Sequence, residues 1–101
     1  MKRIYTIILV SVSLIARAQT WTSQTSGTNM DLYGISFVDA NNGWAAGFSG
    51  TIVHTTNGGT TWNPQTSNVT VNLRSCYFTD LLHGWAAGDG GTIIATTDGG
   101  T

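Results

Sequence analysis

Basic residues are scarce in this chain, and most of them lie near its N-terminus. Of the four lysines and arginines, only Arg74 follows residue 17, and it stands against five aspartates. Nucleic-acid binding depends on many lysine and arginine contacts to phosphates. The composition therefore excludes a nucleic-acid partner, and it argues equally against electrostatic binding to anionic membranes.

Glutamate is absent from the sequence, so the carboxyl groups available for catalysis are few. Glycoside hydrolysis ordinarily needs two carboxyl groups, or a tyrosine nucleophile with helper groups. Asp39 and Asp80 recur at turn positions, where aspartate commonly bonds its own backbone, and Asp89 lies in a glycine-rich turn. No helix follows the glycine pairs at 58–59 and 99–100, as a phosphate-binding loop requires. We expect no catalytic residue, no enzyme activity and no cofactor.

Cysteine occurs once, so the chain cannot form an internal disulfide even in an oxidising compartment. Cys76 takes the place that Ile35 has in the repeat described below, which predicts a small buried apolar residue rather than a reactive thiol. His54 and His83 do not recur, and neither has a second ligand at metal spacing. We expect no metal site.

Residues 1–18 have the pattern of an export signal. A basic start precedes a mostly apolar, uncharged stretch from Ile4 to Ile15, and Ala16-Arg17-Ala18 matches a small-x-small cleavage site. The apolar stretch is shorter than the roughly 20 residues of a membrane-spanning helix. We therefore expect a mature chain that begins near Gln19 and is not inserted in the membrane. Its location would be the periplasm, the cell surface or the medium into which it is secreted.

A 41-residue repeat runs through the rest of the chain without a gap. GWAAGFSGTIVHTTNGGT, which ends at Thr60, returns as GWAAGDGGTIIATTDGGT, which ends at Thr101. Aligning residues 21–60 on 62–101 gives 40 pairs, of which 20 are identical. Self-similarity at this period indicates a propeller, a solenoid or an array of repeats. Residues 19–101 thus hold about two repeats, at about 21–61 and 62–101.

The repeats have the composition of strands and turns rather than of helices. β-Branched and aromatic residues alternate with clusters of glycine, asparagine and aspartate. Each repeat divides into four short candidate strands. In the first repeat these are Leu32–Val38, Trp44–Gly47, Thr51–Thr56 and Trp62 to about Thr66. In the second repeat they are Leu73–Thr79, Trp85–Gly88 and Thr92–Thr97. Trp21–Thr25 holds the same place in the register as the strand that begins at Trp62. Four antiparallel strands repeating near 40 residues predict all-β propeller blades.

The most specific local motif is TTNGGTTW, which ends at Trp62 and recurs as TTDGGT at the end of the sequence. The side chain of Asn57 or Asp98 can accept hydrogen bonds from backbone amides a few residues on. The paired glycines can take the positive φ values of a tight turn, the threonine hydroxyl can join the network, and the tryptophan packs beneath the turn. The predicted structural residues are Thr55, Asn57, Gly59, Trp62, Thr96, Asp98 and Gly100.

At these residues the chain resembles the Asp-box, or bacterial neuraminidase repeat (BNR), propellers. Their pattern is Ser/Thr-x-Asp-x-Gly-x-x-Trp, and Asn57 takes the place of the aspartate in the first copy. The longer string GWAAG-x-x-GTI-x-x-TT-(N/D)-GGTTW-x-x-Q is similar to the photosystem II stability and assembly factor family, over residues 21–101. The resemblance implies a propeller, typically of seven blades. In photosynthesis such proteins are non-catalytic, exported or lumenal scaffolds that help to assemble photosystem II.

The phase of the repeat predicts a truncated propeller. Trp21 occupies the strand after an Asp box, and the tryptophan that closes the second box would follow Thr101. Propellers have four to eight blades, or about 160–330 residues at this period. We therefore expect a fragment of a longer protein.

These observations predict a non-enzymatic, exported β-propeller module that acts as a scaffold through contacts with protein partners. One alternative is the N-terminal fragment of a secreted, sialidase-like or otherwise glycan-active Asp-box enzyme, with a glycan as ligand. A sialidase would need three arginines for the carboxylate of its sugar, and these would have to follow Thr101. A second alternative is a fragment of a surface adhesin.

Overall fold

The computed structural model describes residues 20–101, so the predicted export signal at 1–18 lies outside the described residues. The described chain consists of antiparallel strands joined by short turns, which confirms the all-β class. The strands are β1 (Leu32–Phe37), β2 (Gly43–Gly47), β3 (Ile52–Thr55), β4 (Asn63–Gln65), β5 (Leu73–Phe78), β6 (Gly84–Gly88) and β7 (Thr92–Thr96).

The strands form two sheets in which neighbours along the chain are neighbours in space. Blade 1 has the order β1-β2-β3-β4 and blade 2 the order β5-β6-β7. β2 and β6 end where predicted, and β1, β3, β5 and β7 end one residue earlier. At β1 and β5 this is because Val38 and Thr79 already bond to the turns that follow them. The second and third strands of each blade are joined by a single 3₁₀ turn, in which Ser49 has φ 59° and Gly90 φ 71°.

Residues 21–25 do not form the strand that was predicted for them. A strand needs a neighbour for its backbone hydrogen bonds, and none of the strands between residues 20 and 101 pairs with this segment. Trp21 is fully exposed, whereas its repeat equivalent Trp62 packs edge-on against Phe37 with ring centroids 5.8 Å apart. The blade that Trp21–Thr25 is expected to complete, the last of a closed ring, is not among the described residues, so this strand stays a prediction.

The core lies between the two blades, which pack face to face. Ala46 of blade 1 meets Leu73 and Ala86 of blade 2, and all three are buried. Full burial of a leucine side chain contributes about 1.5–3 kcal/mol. The blades approach closely enough that a Cβ on Gly34 would lie 2.8 Å from the Cα of Ser75. Small residues at the junction thus permit the packing.

Candidate functional site

The first Asp-box turn is held by the side chains of Thr55 and Asn57. The hydroxyl of Thr55, which is buried, donates to Asn57 Oδ1 (2.9 Å) and accepts from the backbone N–H of Gly59 (2.9 Å). Asn57 Oδ1 also accepts from the N–H of Thr61 at 3.0 Å. Gly58 and Gly59 have φ values of 72° and 94°, which side chains rarely tolerate. The turn is therefore closed by its own side chains.

The second Asp-box turn repeats this arrangement with a carboxylate. The Thr96 hydroxyl donates to Asp98 Oδ1 (2.8 Å), and the N–H of Gly100 donates to Thr96 Oγ1 (2.8 Å) and to Asp98 Oδ1 (3.1 Å). These bonds to Thr96 and Gly100 stabilise the ionised carboxylate and lower the pKa of Asp98. Asn57 and Asp98 accept the same kinds of hydrogen bond, so the substitution between the two repeats keeps the turn.

Asp39 and Asp80 organise the turns after the first strand of each blade. Asp39 Oδ1 accepts from the N–H groups of Asn41 and Asn42, and Asp80 Oδ1 from those of Leu82 and His83, all at 2.7–2.8 Å. These backbone hydrogen bonds are the main cause that lowers the pKa of each carboxyl group. The expectation that both aspartates bond their own backbone is confirmed.

Each Asp-box turn also contacts a glutamine that lies 34 positions earlier in the chain, a relationship that was not predicted. Gln24 Nε2 donates to the carbonyl of Gly58 (3.3 Å), and Gln65 Nε2 donates to the carbonyl of Gly99 (3.0 Å). Gln24 and Gln65 are separated by the 41-residue period, as are the two glycines. The recurrence of this glutamine in the W-x-x-Q string was the available signal. The second Asp box thus connects blade 2 to β4 of blade 1 as well as closing its own turn.

Trp44 lies at the centre of the junction between the blades. Its indole stacks on Phe78 at 3.6 Å between centroids and on His54 at 4.4 Å, and Nε1–H donates to the carbonyl of Gly99 at 3.1 Å. Burial lowers the pKa of His54, because an apolar environment disfavours the charged imidazolium. His54 and Trp44 therefore belong to the packing of the junction and not to an exposed ligand platform.

A polar cluster, which we call the Arg74 cluster, lies at the end of the blades opposite the Asp boxes. Arg74 binds Asp89 with two hydrogen bonds, Nε to Oδ1 at 2.9 Å and Nη2 to Oδ2 at 3.1 Å, and its guanidinium carbon lies 4.8 Å from the centre of the Tyr33 ring. Asn72 donates to Asp89 at 3.3 Å and accepts from the N–H of Ser49 at 2.9 Å. The cluster comprises these five residues and draws on both blades.

The side chain of Asp89 does not serve its own turn, contrary to the prediction. Its carboxylate reaches across to Arg74, the only lysine or arginine after residue 17, because the opposite charge and the fork of N–H groups favour that pairing. The hydrogen bond from Arg74 lowers the pKa of Asp89, and the bond to Asp89 raises that of Arg74. Both side chains are about half exposed, so the pair presents a fixed polar surface to solvent.

The Arg74 cluster is formed by residues that break the repeat. Tyr33 occupies the position of Arg74, and Phe48 the position of Asp89. Residues that recur at the 41-residue spacing pack in both blades. A binding surface, in contrast, needs side chains that differ from one repeat to the next. Tyrosine and arginine are also enriched in protein interfaces, where rigid aromatic and planar cationic groups contribute most. The cluster is therefore the candidate binding surface of the described residues.

The thiol of Cys76 lies in the junction, where its Sγ is 3.6 Å from the carbonyl oxygen of Trp44. Burial raises its pKa to about 11. Residues 20–101 contain no group of three or more histidine, cysteine, aspartate or glutamate side chains placed to hold a metal ion. They also contain no helix with the length and apolar character needed to cross a membrane.

Comparison with known proteins identifies relatives of the chain. Residues 14–101 match the sequence profile of a family described as photosynthesis system II assembly factor YCF48. The fold is similar to a solved structure of YCF48 bound to D1 peptide, with a TM-score of 0.65 and 32% sequence identity over 73% of this chain and 25% of that one. The chain thus spans about a quarter of the length of that protein. No curated protein matches the sequence.

Proposed function

The chain belongs to the family of the photosynthesis system II assembly factor YCF48, and from this membership we propose that it is a non-catalytic, exported module that binds a protein partner. The observation that carries the proposal is the similar structure of YCF48, which holds D1 peptide. A peptide of that kind is the partner class that we assign to this chain.

We place the partner on the Arg74 cluster. The polar side chains there are already oriented. Asp89 accepts a hydrogen bond from the guanidinium of Arg74, and Asn72 bonds the turns of both blades. A surface that is ordered before binding loses little side-chain entropy when a partner arrives. Tyr33 supplies an aromatic face, and Arg74 keeps N–H groups that can donate to peptide carbonyls or to a carboxylate.

Four of the five aspartate carboxyl groups support a role without catalysis. Asp39 and Asp80 bond their own turns, Asp98 bonds the second Asp box, and Asp89 bonds Arg74. The pKa of each is lowered by these hydrogen bonds. A general acid at neutral pH needs the opposite, a carboxyl group whose pKa has been raised. These aspartates act as structural acceptors.

Export is supported by the N-terminal sequence, with its apolar stretch followed by Ala16-Arg17-Ala18. Mass spectrometry of the protein recovered from its native host tests this part of the proposal. A mature N-terminus near Gln19 is the expected result. A chain that retains Met1 and remains in the cytoplasm contradicts it.

Binding is tested with a fluorescently labelled D1 peptide and fluorescence anisotropy. We expect the chain to bind the peptide and Arg74→Ala to weaken binding about tenfold or more, in the range of an interface hot spot. His83→Ala, which removes an exposed imidazole at the opposite end, is the matched control and should bind as the wild type does. The peptide should be recovered intact.

Two results contradict the proposal. One is the absence of binding by the wild-type chain. The other is equal binding by Arg74→Ala and His83→Ala, which would remove the Arg74 cluster as the binding surface. Because Arg74 and Asp89 are exposed, loss of their pair costs little stability, so a change in binding is not a secondary effect of unfolding.

A further inference from the structure

The charges of Arg74 and Asp89 in the Arg74 cluster cancel each other. Arg74 is the one lysine or arginine after residue 17, and Asp89 binds it through two hydrogen bonds of 2.9 and 3.1 Å. The bond from Arg74 favours the ionised form of Asp89. The two side chains are therefore an ion pair without net charge. A ligand at this surface has to be recognised by hydrogen bonding rather than by an excess of positive charge.

The ion pair keeps both donors and an acceptor for such a ligand. Asp89 accepts from Nε and Nη2 of Arg74, and within residues 20–101 no group accepts from Nη1. Oδ2 of Asp89 accepts twice, from Arg74 Nη2 and from Asn72 Nδ2. Oδ1 accepts only from Arg74 Nε in this part of the chain, although a carboxylate oxygen can accept twice. The N–H groups of Nη1 and one lone pair of Oδ1 are thus available side by side.

A donor beside an acceptor matches the backbone of a peptide. Each residue other than proline offers a carbonyl that accepts and an N–H that donates. A carbonyl of a bound peptide can accept from Arg74 Nη1 while an N–H of the same backbone donates to Asp89 Oδ1. The side chains of Arg74 and Asp89 are 54% and 46% exposed, so a ligand in solution can reach both. Recognition of this kind does not depend on a charged side chain in the peptide.

A carboxylate fits the same surface poorly. If it accepted from Nη1, it would lie beside the ionised Asp89, and the two like charges would repel each other. If it displaced Asp89 instead, Asp89 would lose its cation, and no other lysine or arginine follows residue 17 to replace Arg74. The Tyr33 ring, 4.8 Å from the guanidinium carbon, and the hydrogen bond from Asn72 to Asp89 hold the ion pair in place. The pair therefore disfavours acidic groups, including a free C-terminus.

We propose that the Arg74–Asp89 pair binds the backbone of an internal peptide segment without acidic groups, with Arg74 donating to a carbonyl and Asp89 accepting from an N–H. The inference rests on the proposed function, which places a peptide on the Arg74 cluster, and it specifies the part of the peptide that is recognised. Asp89 is then a ligand-binding and selecting residue, in addition to holding Arg74.

Asp89→Asn tests this role, because the two modes of recognition predict changes of opposite sign. The amide of asparagine has a single oxygen, which Arg74 engages, so the peptide N–H loses its acceptor. We expect the affinity for labelled D1 peptide, measured by fluorescence anisotropy, to fall about threefold or more. If a carboxylate were bound at Arg74, the same variant would bind more tightly, since the repelling charge is gone.

Asp98→Asn is the matched control for Asp89→Asn. It removes the same charge at the opposite end of the blades, where Asn57 already takes the equivalent place in the first Asp box. This variant should bind D1 peptide as the wild type does. Tighter binding by Asp89→Asn overturns the proposal, and so does equal binding by the two variants.

Chemical changes to the peptide provide a second test. D1 peptide with an amidated C-terminus should bind as tightly as the same peptide with a free carboxylate. Methylation of single backbone nitrogens, which removes one N–H at a time, should weaken binding at an internal position. Loss of binding on amidation, or tolerance of methylation at every internal position, overturns the inference and leaves the proposed function standing. Absence of binding by the wild-type chain to every form of the peptide overturns both.

Discussion

Trp44 and Phe78 lie face to face across the two blades, with 3.6 Å between ring centroids and 4° between ring planes. They are separated by most of one repeat, so their contact joins two sheets that have no strand in common. Trp44 is completely buried, whereas its repeat equivalent Trp85 is 45% exposed. The same residue in the same motif therefore has two environments, depending on whether the next blade covers it.

Replacement of the two tryptophans should have unequal effects. Trp44→Ala removes the stack on Phe78 and the hydrogen bond to the Gly99 carbonyl, and it leaves a cavity in the junction. We expect a loss of about 3–5 kcal/mol in the free energy of unfolding. Trp85→Ala, the matched control, should cost much less, because its side chain is 45% exposed. Urea denaturation measures both, and equal losses would contradict the described junction.

The hydroxyl of Thr55 should matter more than that of its neighbour. Thr55→Val keeps the shape of the side chain but leaves the buried N–H of Gly59 without its acceptor. The expected cost is about 1–3 kcal/mol. Thr56→Val, at an exposed position, serves as control and should change stability little. If thermal unfolding shows the same midpoint for both variants, the Asp-box hydroxyl does not hold the turn.

Cys76 should be protected from thiol reagents while the junction is closed. Burial raises its pKa to about 11, so little thiolate forms at pH 8. We expect slow modification by an aromatic disulfide reagent in the native chain and fast modification in denaturant. Trp44→Ala should accelerate the native reaction, since loss of the indole loosens the junction in which Sγ lies. Rapid, complete labelling of the wild type in the absence of denaturant would contradict a closed junction.

His54 should make stability dependent on pH near neutrality. Burial lowers its pKa below the ordinary value of 6.5, so the unfolded chain takes up the proton more readily than the folded chain does. The free energy of unfolding should therefore be highest above pH 6.5 and decrease as the pH falls below that value. His54→Gln should remove this dependence, whereas His83→Asn should keep it. A free energy of unfolding that rises between pH 7 and pH 5.5 would show that the sign is wrong.

The 41-residue period predicted most of the fold, because strands and turns follow from local alternation and turn residues. The Asp-box residues were also predictable, since their hydrogen bonds are made within a few positions of one another. The sequence did not predict which copy of a motif is buried, because the exposure of Trp85 depends on whether a neighbouring sheet covers it. The pairing of Arg74 with Asp89 was missed for a similar reason: it joins residues 15 positions apart across two strands.

The central claim is that the Arg74 cluster binds a peptide, and the most direct measurement is a nuclear magnetic resonance titration of the isotope-labelled chain with D1 peptide. The backbone amides of Tyr33, Ser49, Asn72, Arg74 and Asp89 should shift progressively, while those of the Asp-box turns at the opposite end stay in place. Shifts confined to the Asp-box turns, or no shifts at saturating peptide, would contradict the claim.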